Sequence, residues 1–163
     1  ASRRRGTEDD PRVEFAHRLW SQRGQRRLPV QDFILGPGRT ALQSGEILAA
    51  VHIPRPRDGT IQHFEKVGLR NALACSLVSL ATLIALDNHG RVEQATLAWG
   101  SVGPTIARCP EAERHLIGKP LTESVLSEAA DMVRRAVSPI DDVRADADYR
   151  RRVAGNLLLR LAR

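Results

Sequence analysis

The chain has 163 residues, of which 42% are hydrophobic, 27% charged and 4% aromatic, with a formal net charge of +6. That suits one domain, or one domain and part of another, with a core of Leu, Val, Ile and Ala. The longest apolar run, Ala72 to Leu86, is too short for a membrane span and is interrupted by Ser76, Ser79 and Thr82. No hydrophobic stretch follows the basic residues near the start, as a secretory signal would require, so a soluble cytoplasmic protein is expected. Lys66 and Lys119 are the only lysines, and the arginines are scattered apart from Arg3 to Arg5 and Arg150 to Arg152. Without an aromatic stacking platform beside them, they argue against nucleic-acid binding.

Residues 1–12 are polar and without apolar periodicity, as in a flexible leader. Val13 to Val30 predicts a hairpin turning at Gln22 to Gln25, and Glu46 to Ile53 predicts a third strand, halted by Pro54. Beyond the Arg55 to Thr60 linker come three apolar segments: Ile61 to Val67, Leu73 to Leu86 and Val92 to Trp99. The middle one is rich in leucine and alanine, which favours helix, yet its apolar residues are too evenly spread to mark a helical face. The turn-like Asp87-Asn88-His89-Gly90 weighs toward a strand. Pro110 suits the first position of a helix closed by Gly118, and Thr122 or Glu123 opens a second. That second helix shows Val125, Leu126, Ala129, Met132, Val133 and Ala136 on one face and ends at Ser138-Pro139. Asp146 caps a last helix, with Tyr149, Val153, Leu157 and Leu158 as its apolar stripe. A small antiparallel sheet of about three strands followed by segregated helices is an α+β pattern.

Few motifs carry chemistry by themselves. Gly36-Pro37-Gly38-Arg39-Thr40 lacks the Lys-Ser/Thr pair of a phosphate loop and reads as a turn. Cys75 lies within an apolar run and reads as a small core residue, whereas Cys109, in a turn, reads as accessible. The histidines at 17, 52, 63, 89 and 115 never fall at metal-ligand spacing and read as surface or hairpin residues. No hydrolase constellation is present, so no catalytic residue and no metal ligand are assigned.

The order of landmarks is more specific. Leu28-Pro29-Val30, Asp32-Phe33, Gly36 to Thr40, Gly45-Glu46-Ile47-Leu48, Ile53-Pro54 and Phe64-x-Lys66-x-x-x-Arg70-x-Ala72 follow one another. Next come Glu93 to Thr105, with Gly100-Ser101-Val102-Gly103-Pro104, and Asp142 to Arg151. This series resembles the FAD-binding (medium) subunit of the xanthine dehydrogenase and carbon monoxide dehydrogenase family of molybdenum hydroxylases, in its C-terminal portion. The resemblance implies a leader at 1–12, the remnant of an FAD-binding lobe at 13–57, and a C-terminal domain with a three-stranded antiparallel sheet at 58–163.

The same resemblance implies an oxidoreductase component that positions FAD for electron transfer from iron–sulfur clusters to NAD or another acceptor. Its partners would be a molybdenum-cofactor subunit and a 2Fe-2S subunit. The family's Gly-rich phosphate-binding lobe lies upstream of the landmarks found, so this chain alone is expected to bind FAD weakly or not at all. The family's flavin-approaching positions fall on Lys66 and Leu48, with Arg70 in the loop beyond. A cation there would favour the anionic reduced flavin, and an apolar residue would pack its ring. Ala74-Cys75-Ser76 stands where many members carry an acidic residue, which departs from the NAD-reducing xanthine dehydrogenases. The other reading is a docking or scaffolding module that has lost flavin binding.

Overall fold

The computed structural model describes residues 16–70 and 74–162. The predicted leader therefore lies outside the described residues. The chain divides between Arg55 and Pro56 into two compact units.

In the first unit, β1 (Ala16–Ser21) and β2 (Gly24–Pro29) form the predicted antiparallel hairpin. One helical turn, α1 (Val30–Phe33), then leads into a minimal hairpin of β3 (Ile34–Gly36) and β4 (Arg39–Thr40), with Pro37-Gly38 at its turn. The predicted third strand is β5 (Ile47–His52), which pairs antiparallel with β1 to give the order β2-β1-β5. Glu46 anchors its start: the carboxylate takes Arg26 Nε at 2.7 Å and Nη2 at 2.8 Å, and also the Gln43 N–H at 2.8 Å. His17 departs from its expected surface position. It is buried and stacks on Phe33 with ring centroids 4.1 Å apart, because β1 turns that face toward α1.

The second unit holds β6 (Ile61–Gly68), β7 (Ser76–Leu86) and β8 (Val92–Gly100), antiparallel in the order β6-β7-β8. The ambiguous apolar segment is thus a strand, and the central one. Val78, Leu80 and Ile84 point to the helical layer while Ser79, Ala81 and Leu83 point away, an alternation with period two. The β7–β8 turn is organised by Asp87, whose carboxylate accepts the His89 and Arg91 N–H groups at 2.8 Å each. Gly90 supplies the left-handed φ of 74° that the turn requires.

Three helices cover one sheet face: α2 (Pro110–Leu116), α3 (Glu123–Ala136) and α4 (Ala147–Leu159). Asp146 caps α4 as expected, accepting the Tyr149 N–H at 2.6 Å. The buried stripe of α3 is Leu126, Ala129, Ala130 and Val133; Ala136 is exposed, because α4 packs against the side of α3 that carries Ala130. These residues, with Leu116, Leu157 and Leu158, close over Leu80, Leu97 and Trp99. Burying each large side chain of this kind contributes about 1.5–3 kcal/mol. The Trp99 indole, fully buried, donates to the Ala154 carbonyl of α4 at 3.0 Å and so ties sheet to helix.

The cysteine expectations are reversed. Cys109 is buried beside α2, where it joins the core, and Cys75 is exposed, because the chain enters the β7 ladder only at Ser76.

Candidate functional site at the open end of the second sheet

The sheet face away from the helices is lined mostly by small and polar side chains. Its cross-strand rows are Gln62–Leu83–Thr96, Phe64–Ala81–Ala98 and Lys66–Ser79–Gly100. Small side chains on β7 and β8 leave Phe64 standing out at 68% exposure, with Lys66 two residues further along the same edge. None of these three rows contains a carboxylate. The Ser79 hydroxyl lies where a side chain on Gly100 would begin, 2.6 Å from the position of its Cβ, so this end of the sheet stays shallow.

Lys66 is exposed near the end of β6, and its ammonium donates to the Ala74 carbonyl at 3.3 Å. That acceptor is neutral and leaves the positive charge uncancelled. Two features bring Ala74 within reach. The ladder shifts register between Val67 and Gly68, and a Cβ on Gly68 would lie 3.1 Å from the Ala74 Cβ and 3.4 Å from the Cys75 carbonyl. Glycine therefore permits the close return of the chain. Arg70 is exposed just beyond β6, at the same end as Lys66, and takes part in a further interaction. Leu48 belongs to the first unit, where it pairs with Leu19 across β1 and β5 and is 41% exposed.

Sequence reading passed over the group that fastens this end. Arg150 of α4 is 4% exposed and donates through Nη1 to the Leu77 carbonyl at 3.0 Å and the Ser101 carbonyl at 3.2 Å. Its Nη2 donates to Asp142 Oδ1 at 2.7 Å. Asp142 is held below the usual carboxylate range, first by the Arg144 backbone N–H and then by the Ala145 N–H and the Arg150 guanidinium, against its partial burial. A signal was available: Arg150, Val153, Ala154 and Leu157 fall at i, i+3, i+4 and i+7, which places the arginine on the stripe that faces the sheet.

Residues 62–163 match the family model of the CO dehydrogenase flavoprotein C-terminal domain. The chain belongs to that family. This flavoprotein C-terminal domain and the segment before it are 34% identical over 133 residues to the xanthine dehydrogenase FAD-binding subunit of Escherichia coli O157:H7, covering 81% of the chain and 45% of the relative. They are 28% identical over 148 residues to the carbon monoxide dehydrogenase medium chain of Hydrogenophaga pseudoflava, covering 91% and 51%. Among solved structures, CO dehydrogenase from Oligotropha carboxidovorans superposes with a TM-score of 0.83 at 27% identity, covering 90% of the chain and 50% of its counterpart. Quinoline 2-oxidoreductase from Pseudomonas putida 86 gives 0.82 at 27% identity, covering 91% and 50%. The chain thus spans about half the length of the curated relatives it matches.

Lys66 and Arg70 lie within the matched flavoprotein domain and Leu48 lies upstream of it. Among the described residues no group of His, Cys, Asp and Glu side chains could hold a metal ion, and no helix is long and apolar enough to cross a membrane. The depression lined by Arg18, Arg27 and His52 on the first unit encloses about 50 Å³, far below the several hundred Å³ typical of a cofactor site.

Proposed function

We propose that this chain is the C-terminal part of the FAD-containing medium subunit of a xanthine dehydrogenase-like molybdenum hydroxylase. In that setting it helps to wall the flavin that takes electrons from iron–sulfur clusters and passes them to NAD or another acceptor. The observation that carries this reading is the family match over residues 62–163, which takes in β6 with Lys66 and all the helices that support it. The names of the relatives support it too: an FAD-binding subunit of xanthine dehydrogenase and a medium chain of carbon monoxide dehydrogenase.

The residues suit the group. Lys66 would hold a positive charge beside the electron-rich edge of the flavin, its ammonium kept at the strand end by the Ala74 carbonyl. Leu48 would give the ring an apolar contact, and Arg70 would add a second positive charge at the Lys66 end. When bound, the flavin itself supplies the redox chemistry, receiving electrons and handing them on. The partners would be a molybdenum-cofactor subunit and a 2Fe-2S subunit, with the flavin phosphates held by a lobe that precedes the region matched here.

The test is elemental and spectroscopic analysis of material purified through a tag on this chain from its own host. Molybdenum, iron and flavin in stoichiometric amounts are expected. Molybdenum and iron without flavin would favour the docking-module reading instead. Absence of all three would overturn the proposal.

A further inference from the structure

The polar geometry behind the Lys66 end is more elaborate than a strand terminus needs. In the β6–β7 ladder Val67 pairs with Val78 and Gly68 with Ser76, so Leu77 is the extra residue of a bulge, opposite no residue of β6. It also lies beyond the last β7–β8 pair, Ser79 with Gly100. The carbonyl of this bulged residue is taken from outside the ladder, by Arg150. The second carbonyl that Arg150 takes belongs to Ser101, which leaves β8 with a left-handed φ of 65°. A residue other than glycine holds that conformation only where its surroundings enforce it. Asp142 fixes the other arm of the guanidinium, and Arg150 Nε has no hydrogen-bond partner. A planar fork bound on both arms has a fixed direction that a lysine could not reproduce.

We propose that Arg150 is a positioning residue for Lys66. By fastening the Leu77 bulge and the Ser101 exit from beneath, it sets the path of the Ala74–Ser76 segment, and the Ala74 carbonyl in turn sets where the Lys66 ammonium stands. The link to electron transfer rests on the function proposed above; the link from Arg150 to Lys66 does not.

The experiment uses the fact that Lys66 and Lys119 are the only lysines in the chain. Competitive acylation of the folded protein, read by mass spectrometry, gives the ratio of Lys66 to Lys119 reactivity in one sample. Arg150→Lys and Arg150→Met are compared with Leu126→Ala, which opens the helical core in α3. Loss of one hydrogen bond to the ammonium should change that ratio about three- to tenfold in the Arg150 variants, and Leu126→Ala should leave it unchanged. Amide exchange at residues 74–78 should quicken in the Arg150 variants beyond any change in α3. If Arg150→Met does not fold, Arg150→Lys carries both readouts, since it keeps a cation in place. An unchanged ratio in folded Arg150→Lys, or exchange that rises equally throughout, would overturn the proposal. In the flavin-loaded complex, Lys66→Ala and Arg150→Lys should shift the flavin potential in the same direction. A shift with Lys66→Ala and none with Arg150→Lys would overturn the positioning role. No shift with Lys66→Ala would instead overturn the flavin contact, leaving the acylation result standing.

Discussion

The free edge of β8 makes Glu113 a demanding position. Edge strands expose unpaired N–H and C=O groups, and this one is covered piece by piece. Val92 exchanges hydrogen bonds with Gly118 and Lys119, Trp99 pairs with Ala107, and between them the Leu97 N–H is taken by Glu113 Oε1 at 2.8 Å. Glu113 is 8% exposed and also binds Arg108 through both oxygens, at 2.8–3.1 Å. Glu113→Ala leaves the Leu97 N–H buried without an acceptor, a loss of about 1–3 kcal/mol. Arg108 is partly exposed and returns to water, which adds at most about 1 kcal/mol. The expected total is about 1–4 kcal/mol, or a fall in Tm of roughly 5–20 °C for a unit of this size. Glu113→Gln keeps an acceptor for Leu97 and should cost only about 1 kcal/mol. Trp99 is fully buried and Trp20 is 48% exposed, so a Trp20→Phe background leaves a reporter inside the second unit. Urea titrations followed by Trp99 emission then give the stabilities directly. Glu113→Ala within about 0.5 kcal/mol of its parent would refute the claim that this carboxylate serves the strand edge.

Other outcomes follow from the same contacts. Hydrogen bonds from Arg26 and the Gln43 N–H hold the Glu46 carboxyl down at about 2, from its usual 4.5. The stability it lends the first unit is therefore complete above about 4.5 and is lost as pH falls toward 2. Glu46→Gln should flatten that part of an acid-unfolding profile, and a profile identical to wild type would dismiss the linkage. At the α3–α4 crossing, a Cβ on Gly155 would lie 2.9 Å from the Ala130 carbonyl and 2.6 Å from Arg134 Nε. Gly155→Val should lower stability by about 1–3 kcal/mol through overpacking, and a raised Tm would contradict this. Asp146→Ala removes the α4 cap and should cost about 1 kcal/mol in denaturant titration, with no change in the α3 region by amide exchange. Finally, the purified chain titrated with FAD and freed of excess should emerge colourless. A retained stoichiometric flavin band would contradict the expectation that the flavin phosphates need another lobe.

Much of the secondary structure was legible because it rests on neighbours in the chain. Pro54, Asp87-Asn88-His89-Gly90, Pro110, Thr122 and Asp146 punctuate the elements by their own backbone chemistry, and each stands at or next to the predicted boundary. The order of landmarks also carried the family, since a motif is a one-dimensional object. What the sequence could not decide was which side chains the fold would bury or join across long separations. Cys75 and Cys109 exchanged their expected environments because burial depends on where the ladder begins and what α2 covers. Arg150 reads as one of three consecutive arginines, yet it alone of the three is buried, on carbonyls 73 and 49 residues away. Local propensity determines where strands and helices start and stop. Helical spacing sets Arg150 on the inward stripe of α4, but only the packing of α4 under the sheet decides which carbonyls its guanidinium must find once it loses its water.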